Sequence, residues 1–205
     1  MLVINPNLVK PQDEPRSFQD LLHPRWKGQM LTVDPRGTGA TVTYYHFRYH
    51  KVLDLDFFRR LAQQDLKIWA GNIREGIAMV ARGEYPISLN ATTNTVAPIV
   101  AEGALLKLLI PEEGAAVATS TSVVLKGAPH PNAARVFVNW LISPEGQLAY
   151  AESAKGTSIR KDVPDFIHPG GRVAPKKLWP VTWEVSEWTN KELEAKTMEQ
   201  IFGTK

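Results

Sequence analysis

The apolar positions of this chain recur with two spacings that alternate along its length. Short apolar runs bounded by Gly, Pro, Asn or Asp are typical of buried strands, whereas apolar residues three and four apart are typical of helices with one buried face. The helical spacing is clearest over Ile73–Val80. Asn72 precedes this helical segment, and Glu75, three residues later, has the spacing of a capping-box partner. Gly83 follows the segment, where a left-handed helix end is expected.

Strands and helices are predicted in alternation from residue 29 onward. The predicted strands are Gln29–Val33, Tyr85–Asn90, Leu105–Ile110 and Ser122–Leu125. The predicted helices are Ala40–Arg48, one that begins at Asp54, one that begins at Asn72, Thr95–Glu102, one on each side of Ser143-Pro144, and one over 186–202. This alternation favours an α/β fold with a mostly parallel sheet covered by helices on both faces. Residues 5–28, rich in Pro and charge, are predicted as a linker with one helical turn near Phe18–Leu22.

Composition narrows the class of protein without naming a function. The chain has 205 residues, 43% of them hydrophobic and 22% charged, which is typical of a globular protein with a real core. The net charge is +3 and the basic residues are scattered, so a nucleic-acid partner is not expected. The absence of cysteine excludes disulfides, thiolate metal sites and cysteine catalysis. The first ten residues, MLVINPNLVK, lack the pattern of a signal peptide.

Two loops are candidates for ligand binding, because each follows a predicted strand and precedes a predicted helix. The unpaired N–H groups of a first helical turn, together with the helix dipole, can bind an oxyanion. Ligands of open α/β sheets also bind at the carboxyl ends of strands. The candidate ligand-binding residues are Arg36, Gly37, Thr38, Gly39, Asn90, Thr92, Thr93 and Asn94. The same residue types are good caps and turn formers without any ligand, so both interpretations stay open.

The sequence offers no recognisable arrangement for catalysis or for a cofactor. Gly37-Thr38-Gly39 lacks the third glycine of a dinucleotide fingerprint, because Val42 occupies that position. His46 and His50 have a spacing that can hold a metal on one helix face, but no third ligand is evident, so exposed or hydrogen-bonded histidines are the simpler interpretation. No serine lies in a nucleophile-elbow sequence. We therefore expect no enzyme, no cofactor and no metal site.

Three segments carry a resemblance to a known family. They are FQDLLHPRWKGQMLTVDPRGTGA at 18–40, GNIREGIAMVARGEYPISLNATTN at 71–94, and the final third from 111 to 164, in which KGAPHPNAA precedes one helix and SPEGQ begins the next. Their order and spacing resemble those of the solute-binding proteins of bacterial ABC importers, in the branch that includes ferric-iron-binding proteins. The resemblance implies a periplasmic-binding-protein type II fold, whose two α/β lobes close on a small solute without chemistry. It also implies that lobe one is largely missing here and that the chain is a truncated form.

The resemblance further assigns parts of the chain to the two lobes. Residues 1–25 correspond to the hinge strand and linker, 26–118 to lobe two, 119–152 to the returning strand and helices of an incomplete lobe one, and 153–205 to the return to lobe two. The ligand loops fall on Arg36–Gly39 and Asn90–Asn94. Iron-binding members carry adjacent tyrosines on the second loop, where this chain has Ala91-Thr92-Thr93-Asn94. The implied ligand is therefore a small anion such as a carboxylate, phosphonate, phosphate or sulfonate, rather than Fe(III) bound by tyrosines.

Partners and location are also implied by the resemblance. The full-length form would be a periplasmic protein or extracytoplasmic lipoprotein that delivers its solute to an ABC permease in the membrane. The alternative is a ligand-sensing domain of a regulator with the same fold, although no helix-turn-helix segment is evident. For the truncated chain we expect weak binding, because its loops face water, and self-association through the incomplete lobe, because the strand 121–126 becomes an exposed edge.

Overall fold

The computed structural model describes residues 1–36, 38–117, 121–154, 158–163, 177–180 and 191–203. The chain divides into two compact units, one comprising Met1–Ala118 and Val173–Lys205 and the other Thr119–Arg172. The strands are β1 Leu2–Ile4, β2 Met30–Val33, β3 Lys67–Trp69, β4 Ile87–Ser88, β5 Lys107–Leu109, β6 Ala115–Val117 and β7 Leu178–Pro180. The helices are α1 Thr38–Tyr49, α2 Leu55–Ala62, α3 Ile73–Ala81, α4 Thr93–Ala101, α5 Pro131–Leu141, α6 Pro144–Ala154 and α7 Lys191–Phe202.

The first unit is built on a five-stranded sheet in the order β3-β2-β4-β1-β5. Strand β2 pairs in parallel with β3 and β4, whereas β1 pairs antiparallel with β4 and β5. Four of these five strands therefore run in one direction and β1 runs against them, in agreement with the mostly parallel sheet predicted. Strands β6 and β7 pair in parallel as a separate two-stranded sheet.

Alternation along β1 shows how the sheet is covered on both faces. Leu2 and Ile4 pack into a cluster with side chains of α1, α2 and α7, whereas Val3 packs on the other side with side chains of α3 and α4. Successive side chains of a strand point to opposite faces, so one short strand contributes to both halves of the core. All three residues are fully buried.

The segment before β2, predicted as a linker, is folded into three short turns of 3-10 helix at Pro11–Asp13, Phe18–Leu22 and Pro24–Trp26. Phe18 and Leu21 are buried, and Phe18 meets the ring of Phe47 edge to face at 5.1 Å. Ser17 caps the second turn by accepting from the Gln19 backbone N–H. The segment therefore contributes to the core of the first unit.

Several helix ends and helix caps follow the predicted signals. Gly83 and Gly103 have φ of +79° and +97° just after α3 and α4, as expected for left-handed helix ends. Asp54 caps α2 by accepting from Phe57 N at 2.8 Å, as predicted. Asn72 caps α3 by accepting from Glu75 N at 2.9 Å. The second half of the predicted capping box, a hydrogen bond from the Asn72 backbone N–H to the Glu75 side chain, is not found in the described part of the chain.

Two predicted strands need correction, and three observed strands were not predicted. The predicted strand Tyr85–Asn90 is reduced to the two residues of β4, and β3, β6 and β7 had no predicted counterpart. The predicted strand Ser122–Leu125 is wrong, because the structure has no strand over 121–130. A strand requires a hydrogen-bonded neighbour, and among the described residues no backbone pairs with this run. Val123 and Leu125 are instead 66% and 71% exposed.

The second unit contains α5 and α6 in its described part. Ser143 joins them, since its hydroxyl accepts from Gly146 N at 3.2 Å and Pro144 occupies the first position of α6, as predicted. The side-chain oxygen of Gln147 accepts from the hydroxyl of Ser158 and from Ile159 N, which fixes the chain that follows α6. None of the helices in the described part of the chain is long and apolar enough to cross a membrane.

Candidate ligand-binding site

Three neighbouring parallel strands end at one edge of the main sheet, and each leads into a helix. The ladder continues to the strand ends through Asp34 N donating to Trp69 O at 3.0 Å and Leu89 N donating to Leu31 O at 2.9 Å. Beyond this edge α1 begins at Thr38, α3 after Asn72 and α4 after Thr92. Both predicted loops therefore lie on adjacent strands, β2 and β4. The third junction, from Trp69 to α3, was missed because β3 was not predicted.

Asn90 is the residue that connects the two predicted loops. It follows β4 and is only 6% exposed. Its side-chain oxygen accepts from Val33 N at 3.0 Å and from the hydroxyl of Thr32 at 2.8 Å, both on β2. The hydroxyl of Tyr44, on α1, lies 2.6 Å from the Thr32 hydroxyl and 3.4 Å from the Asn90 oxygen. Thr32 and Tyr44 were not among the predicted site residues, since only the folded sheet brings them to Asn90.

The direction of these hydrogen bonds follows from the backbone donor. Because Val33 N–H donates, the atom of Asn90 that it meets must be the oxygen. The Thr32 hydroxyl can donate to that oxygen at 2.8 Å or to the Val33 carbonyl at 3.0 Å, and when it donates to Asn90 the Tyr44 hydroxyl donates to Thr32. Burial raises the pKa of the Tyr44 phenol above its ordinary value, which keeps this donor protonated. The oxygen of Asn90 is thus used internally, and only N–H donors remain for other contacts.

The start of α4 presents neutral donors and no charged residue. Thr92 precedes the helix and its backbone N–H donates to the Thr95 hydroxyl at 3.1 Å, while the hydroxyl of Thr92 donates to the side chain of Asn94. The backbone N–H groups of Thr93 and Asn94 have no hydrogen-bond partner among the described residues. Thr92 and Asn94 are exposed. This turn can therefore offer backbone donors and the positive end of a helix dipole to an anion.

The start of α3 differs from that of α4, because its own side chains occupy it. Asn72 caps the helix, and Glu75 adds a negative charge to the first turn. A side-chain carbon at Gly71 would lie 2.5 Å from the indole nitrogen of Trp69 and 2.5 Å from Glu75 Oε2, so these two groups fill the space above Gly71. An anion would meet the Glu75 carboxylate here, so the start of α3 is less suitable for binding an anion than the start of α4.

Arg36, predicted as a charged ligand donor, is engaged inside the first unit. Its Nε and Nη2 donate to the two carboxylate oxygens of Asp34 at 2.7 and 3.1 Å, and its Nη1 donates to the Gly203 carbonyl at 2.7 Å. The two side chains are only 10% and 7% exposed. The Asp34 carboxylate raises the pKa of the Arg36 guanidinium by accepting these hydrogen bonds. The charge of Arg36 is therefore already neutralised, and it joins the end of α7 to the end of β2.

The remaining residues of the first loop are described less fully. Gly37 lies outside the described residues, and for Thr38 and Gly39 the structure gives only their place in the first turn of α1. Their predicted role as ligand residues stays a prediction, as it does for Arg36, Asn90, Thr92, Thr93 and Asn94.

The histidine pair of α1 packs against β7. His46 is fully buried and its Nε2 lies 2.8 Å from the Trp179 carbonyl, while the ring of His50 lies 5.0 Å from the Trp179 ring. Burial lowers the pKa of His46 below its ordinary value. Within the described part of the chain no group of three or more His, Asp or Glu side chains could hold a metal ion. A packed, hydrogen-bonded histidine accounts for this contact without a metal.

Comparison with known proteins places this chain in a family. Residues 1–167 match the family model described as bacterial extracellular solute-binding protein. An uncharacterized protein of Haemophilus influenzae is 30% identical over 140 residues, which are 66% of this chain and 40% of that protein.

Solved structures show the same fold. The Trichodesmium protein IdiA (FutA), in complex with iron and citrate ligands, matches 100% of this chain and 67% of its own at 20% identity and a TM-score of 0.77. The periplasmic binding protein AfuA from Actinobacillus pleuropneumoniae, with fructose-6-phosphate bound, matches 97% of this chain and 63% of its own at 20% identity and a TM-score of 0.65. The chain thus spans 40% of the curated relative and about two thirds of each of these structures.

These likenesses confirm the predicted fold class, an α/β lobe of the type II periplasmic-binding-protein kind. The family that matches is one of extracellular solute-binding proteins, and AfuA is likewise a periplasmic binding protein. The match over residues 1–167 shows that the chain belongs to the family of bacterial extracellular solute-binding proteins.

Proposed function

We propose that this chain supplies one face of a binding site for a small anionic solute, at the sheet edge where β2 and β4 lead into α1 and α4. The observation that carries the proposal is the open first turn of α4, where the backbone N–H groups of Thr93 and Asn94 have no partner among the described residues. Asn90 adds a neutral donor beside them. Fructose-6-phosphate, the ligand in the AfuA structure, is an anion, which supports an anion for this chain also.

In this proposal the protein works outside the cytoplasm and hands its solute to an ABC permease in the membrane. Its task is binding and release, without a chemical step. The domain assignment made from the sequence belongs to the same proposal, with 26–118 as the ligand-bearing lobe and 119–152 as part of the other lobe.

The isolated chain is expected to bind anions weakly. Thr92 and Asn94 are exposed, and a hydrogen bond made in water contributes only about 0.5–1.5 kcal/mol net. Three or four such bonds, reduced by the cost of association, correspond to a Kd on the order of 1 mM.

The test is a titration of the isotope-labelled chain with inorganic phosphate and with citrate, followed by amide resonances, with neutral fructose as the control ligand. We expect the amides of Thr93 and Asn94 to shift with both anions and not with fructose. Asn94→Asp should abolish the shift, because a fixed carboxylate at the second helical position takes the place of the anion while stabilising the helix.

Asn132→Asp is the matched control variant, since Asn132 holds the same second position in α5. It should leave the titration unchanged. If neither anion shifts the first turn of α4 at tens of millimolar, the proposed site is wrong. Submicromolar binding by the chain alone would contradict the weak affinity.

We also propose that a second copy of this chain covers the apolar surface of the second unit. On α5 the side chains of Val136, Phe137 and Trp140 are all exposed and share one stripe at helical spacing, and Leu148 and Tyr150 on α6 are exposed as well. Exposed apolar groups gathered in this way mark an interaction site.

We infer the partner of this surface from its exposed apolar area and from its charge. With side chains of roughly 150–250 Å² each, the exposed apolar area on α5 and α6 is on the order of 600 Å², somewhat below the roughly 800 Å² per partner of a standard interface. The stripe on α5 carries no charge that would select a differently charged partner, and every copy of the chain presents it. We therefore expect a reversible dimer, seen as a concentration-dependent mass in light scattering, and a monomer at the highest concentration would refute it.

A further inference from the structure

We propose that Thr32 and Tyr44 fix the side-chain amide of Asn90 so that it presents N–H donors only, and that this subsite therefore selects a ligand group with oxygen acceptors, such as a phosphate or carboxylate. This inference rests on the proposed function and specifies the chemistry of its most buried contact. Thr32 and Tyr44 act here as positioning residues, since they reach a ligand only through Asn90.

A free asparagine side chain offers a carbonyl acceptor and an NH2 donor with nearly the same shape. Rotation by half a turn exchanges them, so an unrestrained asparagine at a binding site accepts either type of ligand group. Here the rotation is opposed by the Val33 N–H group, which can only donate. Turning the amide over would direct NH2 at this N–H, replacing a hydrogen bond of 3.0 Å by a clash between donors, and the Thr32 hydroxyl would lose its acceptor at 2.8 Å and have to turn to the Val33 carbonyl at 3.0 Å.

The hydroxyl chain makes this restraint stronger. Tyr44 donates to Thr32 at 2.6 Å and Thr32 donates to Asn90 at 2.8 Å, so each bond polarises the next. Tyr44 itself is held by its ring, which meets Phe58 edge to face at 5.4 Å. The orientation of one amide at the sheet edge is thus determined from inside the core.

The nitrogen of Asn90 is the atom left for a ligand. Among the described residues it has no hydrogen-bond partner, whereas the oxygen has three neighbours that donate or can donate. The neighbouring first turn of α4 also offers only donors toward a ligand, the N–H groups of Thr93 and Asn94. All the contacts that we assign to this part of the site therefore require an acceptor, and a ligand group such as an ammonium would meet only repulsive dipoles.

The test uses the labelled chain, inorganic phosphate as the probe, and the side-chain NH2 resonances of Asn90 beside the amides of Thr93 and Asn94. In the wild-type chain we expect all three to shift with one common Kd. Asn90→Asp keeps an oxygen for Thr32 and Val33 but replaces the NH2 by a second oxygen. It should weaken phosphate binding at least tenfold while the backbone amide of Val33 stays hydrogen bonded, which a purely structural role of Asn90 would not produce.

Tyr44→Phe tests the positioning role, with Tyr85→Phe as its control because the Tyr85 hydroxyl has no hydrogen bond among the described residues. Removing the Tyr44 hydroxyl should raise the Kd for phosphate about three- to tenfold, the range of one lost hydrogen bond, and should speed exchange between the two NH2 protons of Asn90. Tyr85→Phe should change neither quantity.

The outcomes separate this inference from the function on which it rests. Shifts at Thr93 and Asn94 without any shift of the Asn90 NH2 group, or wild-type affinity in Asn90→Asp, would overturn the inference and leave the anion site standing. No shift at any of the three would reject the anion site and this inference with it.

Discussion

The Asp34–Arg36 pair offers the sharpest test of whether a residue predicted to bind ligand instead holds the fold together. Arg36→Met keeps most of the side-chain volume and removes the charge. The change removes the guanidinium that neutralises the buried Asp34 carboxylate, while the backbone N–H of residue 36 still donates to it at 2.9 Å. Removing the charged partner of a buried carboxylate is strongly destabilising.

The expected loss in the free energy of unfolding follows from the burial of the Asp34–Arg36 pair. Breaking a fully buried ion pair costs roughly 3–5 kcal/mol. We expect about 2–4 kcal/mol here, since the side chains are 10% and 7% exposed and one backbone donor remains to Asp34. With a urea dependence of roughly 1–3 kcal/mol per molar, the unfolding midpoint should fall by on the order of 1–2 M.

Urea unfolding followed by tryptophan fluorescence measures this shift, and Arg82→Met is the matched control. Arg82 and Glu84 also form an arginine–carboxylate pair two residues apart, but their side chains are 59% and 44% exposed. Solvent screens such a pair, so the control should lose no more than about 0–1 kcal/mol. If Arg36→Met unfolds at the wild-type midpoint and instead loses phosphate binding, Arg36 is a ligand donor and the structural interpretation is refuted.

Three further variants test other parts of the structure. Gly83→Ala should lower the free energy of unfolding by about 1–2 kcal/mol in the same urea assay, because residue 83 has a φ of +79°, and an unchanged midpoint would mean that the α3 end is built differently. Burial lowers the pKa of His46 below 6.5, so its stabilising contribution is complete above about pH 6.5 and is lost as the pH falls toward the lower folded-state pKa. Between about pH 7.5 and 5.5 the wild-type chain should therefore lose more stability than His46→Gln, and equal losses would contradict the buried neutral imidazole. Phe137→Glu should abolish the concentration-dependent mass in light scattering, whereas Leu105→Glu, at an exposed apolar residue of the first unit, should not; a dimer that survives Phe137→Glu does not use α5.

Local signals in the sequence predicted the parts of the fold that depend on neighbouring residues. Gly83 and Asp54 mark helix ends because a left-handed turn and a side-chain cap are each completed within a few residues. The start of α4 was placed two residues late, because Thr92 and Asn94 are both residue types that cap helices and the sequence does not rank them. The strand predicted at Ser122–Leu125 failed for the opposite reason, since an apolar run becomes a strand only when another strand pairs with it.

The position of the candidate site was predictable, whereas its chemistry was not. A strand followed by a small polar loop and a helix directs attention to residues 34–39 and 90–94 from the sequence alone. The partners of those residues come from far along the chain, however: Asn90 meets Thr32 and Arg36 meets Gly203, 58 and 167 residues away. No local pattern indicates such contacts, because they depend on the register of β2 against β4 and on where α7 ends.

These two contacts together indicate how the sheet edge would bind an anion. The cation of the loop after β2, Arg36, is already neutralised by Asp34, so the donors that remain at the described residues of the two predicted loops are neutral. A neutral donor gains little over water while it is exposed, and gains much more once water is excluded and the local dielectric falls. An anion site made of Asn90 and the first turn of α4 would therefore depend on being covered, and its affinity would report how well water is kept out rather than how much positive charge the loops carry.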